Sequence, residues 1–337
     1  MNFTPEIHFW QKDSWLQNAS AWINEQLSIL GAFRVGPLSQ PHTRPWSTVL
    51  HIPTSIGPLY FKAAAPALKH EVAITKTLAD WFPDLFLPVL AAELEQGWLL
   101  LPDGGGRLRE ILKIDQDLTR WETILTRYAE LQIHLANRSA ELLALGAPDR
   151  RLEQLPSEIS RLLADEAGLL IDQTGGLNSQ QLTRLKSLQP RLVELCQTLA
   201  EFPIPASLNH GDFHDGNIFI QADRTLFFDW GDCSLSQPFF SLRTVSVSLE
   251  NTLGIEENTP EFKRLLDAYL EPWGTFAPRS ELRLAFELSH RLAPLCSALS
   301  WDHIVSATPA ALRGEAIFAV PALLAEFLEL NPDFYSD

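Results

Sequence analysis

The side chains best equipped for chemistry are concentrated between Leu208 and Asp232. His210, Asp212, His214 and Asn217 stand close together, and Asp229 follows after two short apolar runs, Ile218–Ile220 and Leu226–Phe228. The runs flank the turn-like break Gln221-Ala222-Asp223-Arg224, a pattern that predicts a β-hairpin. With the turn centred on Asp223, Asn217 and Asp229 face each other across the ladder, their Cβ atoms about 5 Å apart. An amide oxygen and a carboxylate there are hard donors suited to Mg²⁺. Asp212, on a glycine-containing loop, can sit beside them. A second chemistry draws on the same stretch. In an extended segment His210, Asp212 and His214 point to one side, which is a ligand set for a zinc hydrolase. That reading leaves Asn217 and Asp229 unused.

The run His210-Gly211-Asp212-Phe213-His214-x-x-Asn217, followed by Phe228-Asp229-Trp230-Gly231, resembles the signature of the aminoglycoside phosphotransferase and choline kinase families, relatives of the protein kinases. The spacing from Asp to Asn is that of the kinase catalytic loop, in which the Asp handles the acceptor hydroxyl and the Asn holds metal. Asp229 matches the metal-binding Asp of the kinase Asp-Phe-Gly motif, with Trp in place of Phe. The resemblance implies a Mg²⁺-dependent transfer of the γ-phosphoryl group of ATP or GTP to a small hydroxylated molecule. Asp212 would orient the hydroxyl and accept its proton late, since a loose transition state needs positioning more than a strong base. Asn217 and Asp229 would hold the metal on the phosphates. His210, and with it His214, would brace the loop.

The elements around this stretch have to position it. Residues from Glu6 to Leu30 predict amphipathic helix, and Phe33–Leu38, Ser47–Ile52 and Leu59–Ala63 predict three short strands. Lys62 ends the third strand. A lysine there is ordinarily a solvated edge residue. Pro66 is well placed to start a helix over Ala67–Phe82, with Glu71 one turn in. The kinase resemblance requires a strand Lys paired with a Glu on the next helix, and Lys62 and Glu71 occupy those places. Such a pair, partly solvated, adds little to stability. Leu85–Leu90 and Gly97–Pro102 read as further strands. Pro102-Asp103-Gly104-Gly105-Gly106 breaks the pattern. By resemblance it is the hinge, where main-chain groups around Leu100, Leu101 and Asp103 read the nucleotide base.

Beyond Arg107 the pattern turns helical: Leu118–Leu135, Leu152–Leu170, and Ser179–Phe202 capped by Asn178 or Ser179 and split at Pro190. After Asp232 it is helical to the end, over Phe239–Leu249, Glu261–Leu270, Ser280–Ser300 and Ala310–Leu328. The expected architecture is α+β: a two-lobed protein kinase-like fold. A small antiparallel-sheet nucleotide-binding lobe, with its preceding helices, occupies 1–103. A larger, mainly helical lobe carrying the catalytic loop and the acceptor site occupies 104–337. Ligands are expected between the lobes.

The chain's 337 residues and net charge of −16 set further bounds. An acidic surface repels nucleic acid. Three scattered cysteines without Cys-x-x-Cys spacing suit reduced thiols in a cytoplasmic protein. The first residues lack the features of a signal peptide, and no apolar run is long enough to span a bilayer. Two departures from the kinase pattern stand out. The segment Gln40–Ser47, expected as the loop between the first two strands, has no glycine, leaving Thr43, Arg44 and Ser47 as candidate phosphate contacts. In Pro238-Phe239-Phe240-Ser241-Leu242, Ser241 replaces an acidic residue frequent in the family it resembles, so a helix-capping or hairpin-bracing contact is expected to be missing. Acceptor selectivity is expected from the region after Cys233, with Glu250, Glu287, Trp301 and Asp302 as candidates. Besides a kinase, the sequence allows a non-catalytic nucleotide-binding regulator that keeps Lys62 and the metal ligands, and the metal-dependent hydrolase.

Overall fold

The computed structural model describes residues 9–222 and 224–332. The expected helix start at Glu6 and the turn centre at Asp223 lie outside them. The chain forms two compact units, one made of residues up to Gly106 with Phe219–Gly231 and Ile304–Gly314, the other of Arg107–Ile218, Asp232–His303 and residues from Glu315.

The first unit is an antiparallel sheet with a helix on each face. Its strands are β1 (Ser39–Arg44), β2 (Ser47–Thr54), β3 (Gly57–Ala64), β4 (Ala91–Glu93) and β5 (Trp98–Pro102), in the order β1-β2-β3-β5-β4. Alternation of side chains along β3 sends Phe61 and Ala63 to one face, where they pack with Trp15, Ile23 and Leu27 of helix α1 (Asp13–Ile29). Val72 of helix α2 (His70–Trp81) packs with Leu99 and Leu101 on the other face.

Three expectations for this sheet need correction. Gln40–Ser47 is no loop: Gln40–Arg44 belong to β1, and only Pro45 and Trp46 connect it to β2. β1 is an edge strand with little apolar alternation to betray it. Its register shift between Ser39 and His42 holds Pro41, where a strand tolerates proline. Gln40 Nε2 donates to Thr48 Oγ1 at 2.9 Å, and that hydroxyl donates to the His42 carbonyl at 2.8 Å. Phe33–Leu38, expected as the first strand, holds only an isolated bridge from Arg34 to Thr54. Leu85–Leu90 is irregular, with Pro83 before it and Pro88 inside it, and the pairing strand starts at Ala91.

A two-residue β6 (Gly106–Arg107) ends this stretch, and the second unit is mostly helical: α3 (Leu108–Asp115), α4 (Leu118–Ala136), α5 (Ser139–Ala144), α6 (Leu155–Leu162), α7 (Ser179–Ser187), α8 (Gln189–Ala200), α9 (Leu242–Leu253), α10 (Pro260–Leu270), α11 (Arg279–Ala307) and α12 (Ala319–Leu330). Asn178 caps α7 in a reciprocal capping box with Gln181, and the chain breaks before Pro190, as expected. The helix expected to Leu170 stops at Leu162, and Leu170 and Asp172 adopt positive φ. A short strand β7 (Ser207–Asn209) leads into the His210 loop. The hairpin strands β8 (Ile218–Gln221) and β9 (Arg224–Phe227) follow, and β10 (Ser234–Ser236) pairs antiparallel with β7. β10 corrects the expectation of helix throughout after Asp232. Its Ser-Leu-Ser run is buried along its whole length, so no contrast between a wet and a dry face marks it.

Phe61 is fully buried and meets Trp15, Trp22 and Trp98 at ring separations of 6.2, 5.7 and 5.5 Å. Phe61→Ala is expected to cost about 3–5 kcal/mol. Urea unfolding followed by tryptophan fluorescence checks this through a lowered midpoint.

Candidate active site

Strand parity determines where Lys62 points. Its neighbours Phe61 and Ala63 face α1, so Lys62 faces α2. β3 is an interior strand paired on both sides, and Lys62 is only 4% exposed, Glu71 2%. The ammonium is ion-paired with Glu71 and, at 2.6 Å, with Asp229, and it lies 5.1 Å from the centroid of the Phe228 ring. The expected pairing of Lys62 with Glu71 is present. The expectation that it is partly solvated is overturned, because α2 and the two flanking strands cover this face.

Burial works against the charge on Lys62, but Asp229 and Glu71 outweigh it and hold the ammonium's pKa above its ordinary value. Burial also pushes the Glu71 carboxyl up, against the pull of Lys62. The two tendencies conflict over the proton, and the geometry of one ammonium between two carboxylates favours a charged Lys62. Asp229, its side chain 39% exposed, carries the better-solvated negative charge.

Asp229 lies beyond the end of β9 with φ of +67°, a left-handed backbone that Asp tolerates better than most residues. Such a conformation costs about 1–3 kcal/mol and persists where its surroundings enforce it. Here α2 enforces it: the Trp230 N–H donates to Glu71, and His70 Nε2 lies 3.0 Å from the Gly231 carbonyl. Among the described residues Oδ2 of Asp229 has no hydrogen-bond partner. In the segment expected to read the base, the Leu100 carbonyl accepts from the Leu90 N–H at 2.9 Å, and the Asp103 carbonyl accepts from Gln221 at 3.1 Å. Leu101 is buried in β5. Gly104 lies so close to Phe219 that a Cβ there would stand 2.7 Å from its ring.

In the second unit, Gly211 turns the chain after His210 with φ of +80°, and a Cβ would collide with the Asp232 carbonyl. His210 is fully buried, and its Nδ1 accepts from the Asp212 N–H at 3.3 Å. Asn217 Nδ2 donates to the Asp212 carbonyl at 2.9 Å and to its Oδ2 at 3.0 Å. The amide nitrogen is thus turned inward, and among the described residues the amide oxygen has no hydrogen-bond partner. His214 Nε2 lies 3.3 Å from the same Oδ2. Both contacts fall on one oxygen, so among the described residues Asp212 Oδ1 has no hydrogen-bond partner. Burial would raise the Asp212 pKa, but His214, His210 and Asn217 lower it on balance, which keeps the carboxylate ionised.

His214 presents a conflict of its own. Burial lowers its proton affinity and Asp212 raises it, with a net upward shift. Yet Nδ1 already accepts from the Gly216 N–H at 2.9 Å and from Arg109, which can only donate, at 3.2 Å. A second proton there would displace both, so we assign the neutral ring with its proton on Nε2.

The loop rests on a buried polar network. The Tyr128 hydroxyl accepts from the His210 N–H at 3.1 Å and lies 2.7 Å from Ser241 Oγ, which donates to Asn209 at 2.5 Å. The Ser241 side chain makes no cap for α9, as expected, and its hydroxyl braces the His210 loop instead. Arg109, Tyr128, Asp215, Ser248 and Thr252 support this loop and were not found from sequence. Their only signal was an Asp inside the motif and an Arg at the start of a helix. Neither Asn217, at the end of a 3₁₀ turn, nor Asp229 is a strand residue, so the expected ladder stops short of both. The zinc alternative finds no support in this geometry: His210 is enclosed, and among the described residues no group of three or more His, Cys, Asp and Glu could hold a metal.

Comparison with known proteins places this arrangement. The phosphotransferase enzyme family matches residues 93–282, more than half of the chain. The chain belongs to that family. This phosphotransferase shares its fold with solved structures of low sequence identity. A choline/ethanolamine kinase family protein from Mesorhizobium loti is 14% identical, with 95% of this chain and 96% of that one covered and a TM-score of 0.63. A macrolide 2'-phosphotransferase from Brachybacterium faecium is 16% identical, with 89% and 97% covered and a TM-score of 0.56. The amicoumacin kinase hAmiN, solved with AMP-PNP, Ca²⁺ and Ami, is 11% identical, with 94% and 96% covered and a TM-score of 0.56. No curated protein matches the phosphotransferase. The α+β class, the kinase-like fold and the assignment as a small-molecule phosphotransferase all stand. Among the described residues no helix is long and apolar enough to cross a membrane.

Of the acceptor candidates, Glu250 and Glu287 are exposed, Trp301 is half-buried, and Asp302 pairs with Arg161 at 3.6 Å.

Lys62→Met removes the cation from a buried carboxylate, which typically costs about 3–5 kcal/mol. Without Lys62 the folded-state pKa of Glu71 lies above its unfolded value of about 4.3, so the folded state binds the proton more tightly. The loss is then largest at neutral pH and shrinks as the pH falls through the folded pKa. Denaturant midpoints at pH 7 and pH 5 check both the size and the sign.

Proposed function

We propose that this phosphotransferase moves the γ-phosphoryl group of ATP or GTP to a hydroxyl of a small molecule, with Mg²⁺. The observation that carries the reading is the orientation of Asp212. Both internal donors to its carboxylate, Asn217 and His214, occupy Oδ2, which leaves Oδ1 for an acceptor hydroxyl. Asp212 Oδ1 accepts the hydroxyl's hydrogen bond and takes its proton as the bond to phosphorus forms. An ionised, low-pKa carboxylate suits a step whose proton moves late.

In this reading the first unit serves the nucleotide and the second the acceptor. Lys62, braced by Glu71, offsets charge on the nucleotide phosphates. Main-chain groups around Leu100, Leu101 and Asp103 contact the base. Asn217 and Asp229 are the metal ligands. Both offer an unengaged oxygen, and hard oxygen donors fit Mg²⁺. The ion, when bound with the nucleotide, neutralises charge on the phosphates. His210 and His214 hold the loop. A location in the cytoplasm, where nucleotide and Mg²⁺ are supplied, accords with the three free, buried cysteines. The structure of hAmiN, which holds a nucleotide analogue and a divalent ion, supports nucleotide and metal use.

A screen of hydroxylated metabolites and antibiotics for acceptor-dependent ADP or GDP release identifies the acceptor. With it in hand, Asp212→Asn is expected to lower turnover about 10²–10⁴-fold while Mg²⁺-nucleotide affinity, by calorimetry, stays near wild type. Asp229→Asn is expected to weaken that affinity. Acceptor phosphorylation that survives unchanged in Asp212→Asn removes Asp212 from the reaction. A regulator has no turnover to lose in either variant.

A further inference from the structure

Behind Asp212 lies a chain of contacts that the reaction does not by itself require. Asp215 is fully buried. Its Oδ1 accepts from Arg109 Nε at 2.6 Å, its Oδ2 accepts from Thr252 Oγ1 at 2.6 Å, and its N–H donates to Ser248 Oγ at 3.2 Å. Thr252 and Ser248 both stand on α9, so one helix anchors the residue at two points, its carboxylate and its main-chain N–H. Arg109 begins α3 and is the cation that answers this charge. Its planar guanidinium spans two partners at once: Nε on Asp215 and Nη2 on His214 Nδ1. His214 in turn presents Nε2 to Asp212 Oδ2. The packing is close, since a Cβ on Gly216 would stand 2.7 Å from the His214 ring and 3.1 Å from the Arg109 guanidinium carbon.

We propose that Arg109 and Asp215 are positioning residues for the phosphoryl transfer: Asp215 fixes the guanidinium, and the guanidinium fixes the orientation and neutral Nε2–H form of His214, whose donation to Oδ2 keeps Asp212 Oδ1 directed at the acceptor. The inference rests on the proposed role of Asp212. The direction of each hydrogen bond carries it. A guanidinium has no acceptor, so Nδ1 must accept, and the single ring proton is left on Nε2 facing the carboxylate. The Gly216 N–H supports the same tautomer but comes from the loop itself. Arg109 adds a tie to α3 and, through Asp215, to α9, and it places a positive charge beside Nδ1 that opposes a second proton. Charged groups facing His214 are thus Asp212 at Nε2 and, at Nδ1, Arg109 with Asp215 behind it. Outer contacts that orient a functional histidine are typically worth about 10–100-fold in activity.

The test uses the full chain with ¹⁵N-labelled histidine, and ADP release from Mg²⁺-ATP with water as the acceptor, so it needs no identified substrate. Wild type, Arg109→Ala, Arg109→Lys and Asp212→Asn are compared at pH 7. Arg109→Lys keeps a cation on Asp215 should Arg109→Ala fail to fold, but lacks the planar fork. In wild type the His214 ring is expected to show a protonated Nε2 and an unprotonated Nδ1. Both Arg109 variants are expected to lose that signature, to release ADP about 10–100-fold more slowly, and to keep their KM for Mg²⁺-ATP. Guanidinium ion added to Arg109→Ala is expected to restore both signature and rate. A His214 signature that is the same in wild type and Arg109→Lys overturns the proposal, as does an altered signature with an unchanged rate. Should wild type release ADP no faster than Asp212→Asn while the signature still depends on Arg109, the role given to Asp212 fails and the positioning role falls with it. The ring signature therefore distinguishes that failure from a failure of the Arg109 contact.

Discussion

A lysine ammonium buried inside a sheet has to be answered by carboxylate, and much of the first unit is arranged around that answer. Desolvating the charge is expensive unless partners and hydrogen bonds replace water. Glu71 supplies one partner from the first turn of α2, and Asp229 supplies the other from beyond the hairpin. Holding Asp229 there requires a left-handed backbone, and α2 secures the residues that follow it through Glu71 and His70. The same ion pair therefore orients a helix, ends a strand and holds a non-glycine residue in a strained conformation. A site assembled this way suits a phosphate ligand, because its cation is already positioned before negative charge arrives.

The second unit solves a different problem. Its loop from His210 to Asn217 is rich in polar groups and largely buried, so each donor and acceptor needs a partner. Tyr128 and Gln132, one helical turn apart on α4, reach under the loop. Ser241 and Asn209 complete the support. Tyr128 also stacks on Phe213, with ring centroids 3.8 Å apart, so an aromatic contact and a hydroxyl contact hold the same turn. Burial pushes the Tyr128 hydroxyl's pKa well up, which keeps it a neutral partner for the His210 N–H. Rigid support of this kind keeps the carboxylate proposed to act on the acceptor aimed without help from the ligand.

The motif residues were legible because their chemistry and spacing are local. Asp212, Asn217 and Asp229 lie within one stretch, and the pairing of Lys62 with Glu71 was implied by the kinase resemblance, for which a strand ending and a helix starting a few residues apart supplied the two places. The capping of α7 by Asn178 and the break at Pro190 were legible for the same reason, since each depends on backbone chemistry within one turn. The misjudged segments share a different property. β1 and β10 are strands whose side chains do not alternate between apolar and polar, because an edge position exposes one and full burial hides the other. Leu85–Leu90 has the apolar content of a strand, but Pro88 within it, with Pro83 just before, breaks the backbone pairing that a strand needs.

Sequence by itself determined the class of chemistry, the fold class and most of the helices, since hydrophobic period, turn residues and motif spacing act over short stretches of chain. Tertiary structure alone decided how deeply Lys62 is buried, because that depends on α2 and two flanking strands closing over one face of the sheet. It alone decided that Ser241 braces the His210 loop through Tyr128 and Asn209. It alone brought Arg109 to Asp215, more than a hundred residues away in the chain. Contacts between residues that distant leave no periodic trace in a single sequence, and only packing brings their side chains together.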